Sequence, residues 1–136
     1  MRKFLFVFSS IVIMLALSAC TNQQTKVNKN AMVISIENRA DFDWYSIEIE
    51  AKNTKSGIAN ADGSKIKKGD VLTKEYMDQE DFALKGKATF VFTLIGENGK
   101  RITLETIELN LSGNKEYQFE VNGDSMEEAE LHQLHE

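Results

Sequence analysis

Residues 87–122 read KATFVFTLIGENGKRITLETIELNLSGNKEYQFEVN, and the pattern inside this stretch decides the fold class. Ala88, Phe90, Phe92 and Leu94 recur at every second position, the spacing at which an extended chain returns to one face of a sheet. The intervening Thr89, Val91, Thr93 and Ile95 are all β-branched, which suits a central strand. Tyr117, Phe119 and Val121 alternate with Glu116, Gln118 and Glu120, giving a strand with one dry and one wet face. Between these runs the phase changes. Ile102 and Leu104 share one face while Ile107, Leu109 and Leu111 fall on the other, so a β-bulge near Glu105 or Thr106, or a strand shared between two sheets, is expected. Glu97-Asn98-Gly99-Lys100 separates the first two runs, and Asn-Gly accepts the positive φ angles of a tight hairpin. Ser112-Gly113-Asn114-Lys115 has the same turn chemistry. Three consecutive antiparallel strands, 87–96, 100–111 and 115–122, are therefore predicted as a meander.

Upstream, Met32, Ile34 and Ile36 alternate with Val33, Ser35 and Glu37, and Tyr45, Ile47, Ile49 and Ala51 alternate with Trp44, Ser46, Glu48 and Glu50. Both are half-buried strands. Residues 53–68 are rich in Gly, Ser, Asn, Asp and Lys and read as a long loop with a short strand at Lys65 and Ile66. Residues 71–76 read as another strand and 82–84 as a brief one. Six to seven short strands with regular turns predict an all-β, antiparallel two-sheet sandwich. This pattern is similar to that of immunoglobulin-like domains, a likeness of architecture alone because the paired core cysteines of that family are absent. Proline is absent too, so edge protection must come from charges such as Lys65, Lys67, Lys68 and Lys74. After Gly123 the period changes. Ser125-Met126-Glu127-Glu128 matches a capping box, and a short C-terminal helix is predicted. The sandwich domain with its tail thus occupies residues 31–136.

The N-terminus carries a different message. Met1, Arg2 and Lys3 form a cationic head before a 14-residue apolar run, residues 4–17, broken only by Ser9 and Ser10. A membrane-spanning helix needs about 20 residues, so a secretory signal segment over residues 1–19 is the better reading. Leu17-Ser18-Ala19-Cys20 follows, and it resembles the lipobox of bacterial lipoprotein precursors. That resemblance implies recognition of Leu17, Ser18 and Ala19 by a dedicated signal peptidase, cleavage before Cys20, and a diacylglycerol thioether with an N-acyl chain on Cys20, palmitate being such a chain. Cys20 is the single cysteine of the chain, so no internal disulfide can form, and lipidation accounts for the lone thiol. Lipoproteins kept in the inner membrane of Gram-negative cells typically carry Asp after the cysteine, so with Thr21 there the resemblance implies outer-membrane sorting if the host has an outer membrane, and an anchor in the cell membrane otherwise. The protein is expected on the extracytoplasmic side in either case. Residues 20–30 make a polar tether whose ten residues after the cysteine reach about 35 Å at most.

Composition narrows the function. The signal segment carries two basic and no acidic residues, so its removal takes the formal charge from −5 to −7. An acidic surface repels phosphate backbones, which disfavours nucleic acid as a partner. Residues 31–122 contain no His and no Cys, so Ser-His-Asp and Cys-His catalysis lack a base there, and a non-enzyme is expected. His132 and His135, three apart on the predicted helix, fall short of a metal site without further ligands. Residues 60–64 (NADGS), with Asp41 and Asp43, suggest a plain turn rather than a calcium loop. Asp78, Glu80 and Asp81 are sequence neighbours, which seldom face each other across a sugar. Neither a metal nor any cofactor beyond the covalent lipid is expected. Phe42 and Trp44 flank Asp43 in a loop. Exposed, they would offer an apolar surface to an envelope protein, peptide or glycan; buried, they would close one end of the core. The expected function is a membrane-anchored, non-catalytic binding lipoprotein. The alternative is an inhibitor or accessory factor of an envelope or secreted enzyme that uses the 53–68 loop.

Overall fold

The period of two becomes eight strands in the computed structural model, which describes residues 28–135. They are β1 (Ala31–Asn38), β2 (Ser46–Ala51), β3 (Thr54–Ala59), β4 (Val71–Met77), β5 (Lys87–Ile95), β6 (Arg101–Asn110), β7 (Lys115–Asn122) and β8 (Glu130–His135). One sheet has the order β4-β1-β7-β8 and the other β3-β2-β5-β6. The two face each other across one core. Met32, Ile34 and Ile36 of β1 with Tyr117, Phe119 and Val121 of β7 meet Ile47 and Ile49 of β2 with Phe90, Phe92 and Leu94 of β5, all at most 1% exposed. Phe92 and Phe119 touch between the layers with ring centroids 5.2 Å apart. Tyr76, Phe82 and Phe90 form a second aromatic group, at 5.2 to 6.4 Å. Every ladder is antiparallel except β1 with β7, which run parallel.

The all-β sandwich stands, and four details differ from the sequence reading. First, β5 and β6 form the expected hairpin, with Asn98 and Gly99 at φ 55° and 72°, but β7 leaves the meander. It crosses to the other sheet and pairs with β1. The crossing is held at both ends: the Leu111 amide donates to the Gly86 carbonyl at 2.7 Å, and the Asn114 amide, from a residue at φ 59°, donates to the Ala31 carbonyl at 2.8 Å. Alternation states that one face is dry; it does not state which layer supplies the partner strand.

Second, residues 54–59 form β3, paired to β2 along its whole length through the tight turn at Lys52 and Asn53. The small, polar composition suggested a loop, but an edge strand that is half-exposed tolerates Lys55, Ser56 and Gly57. The short strands expected at Lys65 and Ile66 and at 82–84 are reduced to single bridges, Trp44 to Ile66 and Asp78 to Phe82.

Third, the C-terminal helix is not formed. Ser125 makes no side-chain cap bond, Met126–Glu128 is a single 3₁₀ turn, and the chain continues as β8 on the edge of β7. An isolated short helix is marginal in water. The strand instead gives β7 a ladder of backbone partners and buries Leu131, which is 3% exposed. Fourth, the bulge in β6 is present one residue from its expected place: Phe92 pairs with Glu105 and Thr93 with Thr103, so Leu104 is the extra residue. It lets Leu104, Ile107 and Leu109 all reach the core.

Candidate functional site

The topology sorts the loops by end. The chain enters β1 beside the 78–86 segment and the 111–114 turn, to which it is tied by the Asp78 amide on the Asn30 carbonyl (2.8 Å) and by the Asn114 bond already described. At the opposite end lie residues 39–45, 60–70, 96–100 and 123–129. Leu17, Ser18, Ala19 and Cys20 lie outside the described residues.

Asn38, fully buried at the last position of β1, organises that far end. Its side-chain amide donates to the carbonyls of Ile66 (3.1 Å) and Phe42 (3.3 Å), and its Oδ1 accepts from the Ala40 amide at 3.0 Å. Its backbone donates to the Asp70 carbonyl and accepts from the Gly69 amide. One polar side chain thus pins both the 39–45 and the 66–70 segments. Trp44 sits in this grip. It is fully buried, and it exchanges backbone bonds with Ile66 at 3.3 and 2.6 Å. Phe42 is half-buried and packed against the core. The pair therefore closes one end of the sandwich. The exposed aromatic platform that Phe42 and Trp44 would have given a partner is not formed, because the indole follows the inward parity of the core rather than the outward parity of Ser46 and Glu48.

Next to them, residues 60–64 form a turn held by side chains. Asn60 donates to the Ser64 hydroxyl (3.0 Å) and to the Ser64 and Lys65 carbonyls, and the Ser64 amide donates to Asp62 at 2.9 Å. The bonds from Ser64 hold the Asp62 carboxyl below its ordinary range. Asn60, Asp62, Ser64, Asp70 and Val71 line an open cleft of about 530 Å³. Asp70 accepts from the Lys67 amide at 2.8 Å. The cleft brings together Asp62 and Asp70 but not Asp78 and Asp81, which lie at the other end. There Asp78 accepts from the Leu84 amide (2.7 Å) and Asp81 from the Met77 amide (2.8 Å), so both carboxylates hold the 77–84 turn. Asp41 pairs with Lys68. Among the described residues no group of three or more His, Cys, Asp or Glu is gathered as metal ligands. His132 lies on β8 rather than on a helix, 3.2 Å from Glu130 and 4.0 Å from Glu120.

At Val71 the cleft adjoins a groove of about 250 Å³ on the outer face of the β4-β1-β7-β8 sheet, lined by Ser35, Glu37, Val71, Glu116, Gln118 and Leu134. Val71 and Leu134, 58% and 41% exposed, are the large apolar side chains that stand open to solvent among the described residues. Glu116 accepts from the Ser35 hydroxyl (3.1 Å) and the Gln118 amide (3.3 Å). The two outer faces differ in electrostatics. On the β3-β2-β5-β6 sheet, Glu48 is clamped by both Arg101 nitrogens and by Lys55, and Lys87 holds Glu108 at 2.8 Å. Arg101 first, then Lys55, lowers the Glu48 carboxyl to about 2. Among the described side chains, the outer face of the other sheet carries Glu37, Glu75, Glu116, Glu120 and Glu130 against Arg39 and His132.

This groove escaped the sequence reading, yet part of it was written there. Val71 shares parity with Thr73 and Glu75, opposite the buried Leu72 and Tyr76, so an apolar residue on a wet face was readable. Leu134 was not, because its place depends on the register shift that pairs His135 with Gln118 and Gln133 with Phe119.

Among solved structures, the fold is similar to that of the protein from Eubacterium rectale determined by NMR, with a TM-score of 0.51 and 13% sequence identity over 79% of this chain and 92% of that one. At such identity the likeness concerns the fold alone. No protein family matches the chain, and no curated protein does.

Proposed function

We propose that this chain is a lipid-anchored, non-catalytic binding protein of the cell envelope, held on the membrane by acyl chains on Cys20 and presenting its sandwich to a protein, peptide or glycan. One observation carries the reading: the chain enters the sandwich at the end opposite residues 39–45 and 60–70. An anchor at residue 20 leaves those segments the farthest from the bilayer, beyond it by the length of β1, whose eight residues span about 26 Å. Two acyl chains make such an anchor durable where one does not. The cleft at Asp62 and Asp70 and the groove beside it replace Phe42 and Trp44 as the binding surface.

The test has two arms. Wild-type protein is expected in the membrane fraction and Cys20→Ser in the soluble extracytoplasmic fraction or uncleaved; mass spectrometry finding a free Cys20 thiol on the mature chain overturns the anchor. Pull-down from intact envelopes is expected to recover partners that a variant with residues 60–64 replaced by Gly-Ser loses; recovery of nothing by either overturns the binding reading.

An enzyme inhibitor is the second reading, favoured by the 60–64 turn, whose Asn60 and Asp62 bonds fix its shape before any partner arrives. A captured enzyme that loses activity on adding the purified chain would select it.

A further inference from the structure

We infer that the outer face of the β4-β1-β7-β8 sheet binds an extended cationic peptide segment, its Arg or Lys lying between Glu37 and Glu116 and its apolar side chains resting on Val71 and Leu134. The inference rests on the binding reading above and names the chemistry of the partner.

Charge complementarity is the first argument. On the opposite sheet face, Glu48 is held by Lys55 and Arg101 and Glu108 by Lys87. Among the described side chains of this face, five outward glutamates meet one arginine and one histidine, both at the rim: Arg39 reaches Glu37 and Glu120, and His132 lies against Glu120 and Glu130. Among the described residues Glu116, which lines the groove, accepts from the neutral Ser35 and Gln118. A guanidinium or ammonium there gains charge-assisted bonds, roughly twice as strong as neutral ones.

Spacing is the second argument. Val71 is on edge strand β4 and Leu134 on edge strand β8, three strand steps apart. At about 4.8 Å per step they stand about 14 Å apart across the sheet. An extended peptide rising about 3.4 Å per residue covers that distance in four residues. Side chains four apart point the same way, and the one midway between them points down with them. The fitting segment is therefore apolar-x-basic-x-apolar, with the base above the glutamates.

The experiment uses the full-length chain in detergent and a labelled peptide with leucines four apart and arginine midway, read by fluorescence anisotropy. Saturable binding is expected, weakened about tenfold or more in E37Q/E116Q, in L134S, in a peptide with citrulline for arginine, and on raising salt from about 50 to about 500 mM. Trp44 emission, which reports the core, checks that the variants fold; the citrulline and salt arms need no variant. Unchanged affinity in E37Q/E116Q or with citrulline overturns the inference. If the wild type binds no peptide while the envelope pull-down still depends on residues 60–64, this occupant fails and the binding reading survives; if the pull-down also recovers nothing, both fall.

Discussion

Asn38 shows how one residue can set the shape of a loop end. It follows the inward parity of Met32, Ile34 and Ile36, so the sequence places a polar amide in an apolar row, where it must find partners or cost stability. It finds three, the carbonyls of Phe42 and Ile66 and the amide of Ala40. Asn38→Ala leaves those groups buried and unpaired, and a loss of about 3 kcal/mol is expected in urea denaturation. Glu48 makes the opposite kind of contribution, on the surface. Its carboxyl lies at about 2 in the fold against an ordinary 4.5, because Arg101 and then Lys55 favour the charged form. The stabilisation is therefore complete above pH 4.5 and disappears as the pH falls toward 2. Solvent screening at this exposed site reduces it to about 1 kcal/mol. Glu48→Gln should lower stability by that amount at pH 7, and the difference from wild type should vanish near pH 2, as read from unfolding midpoints across pH. The partners of Glu48 are not legible in sequence: Lys55 falls in a stretch with the composition of a loop, and Arg101 lies across the intervening β5.

At the scale of elements, strands β1, β2, β5 and β7 were legible because each carries a run of alternating apolar residues long enough to state its own period. Strands β3 and β8 were not. Each has one neighbour strand and borrows its backbone partners from it, so little in its own composition marks it. The bulge was legible because a phase change within one strand is a local signal. The crossing from β6 to β7 was not, since the same Gly-Asn turn chemistry serves a hairpin and a change of layer. Gly113 marks that crossing: a Cβ there would stand 2.1 Å from the Lys29 carbonyl oxygen. Gly113→Ala must push the incoming chain away from the turn, and we expect a cost of about 2 kcal/mol with the same folded spectrum. A cost near zero would mean that the entry segment does not pack on this turn.

For the whole molecule, a single core shared by both sheets predicts a single transition. Trp44, the one tryptophan, is buried at the loop end and held to Ile66. Its fluorescence and the far-UV circular dichroism of the strands should therefore change together in denaturant; separated midpoints would show that the loop end opens on its own. The sequence by itself determined that the chain is an all-β sandwich, that its net charge is acidic, and where a signal segment and lipobox are to be expected. Those properties are written locally, in a period of two, in net charge and in a short contiguous motif. Tertiary structure alone decided which sheet β7 joins, that the C-terminus is strand rather than helix, that Trp44 lies inside, and that Val71 and Leu134 flank one acidic face. Each of these depends on which distant segment supplies the backbone bonds or the covering side chains, and alternation along a chain carries no record of its neighbour.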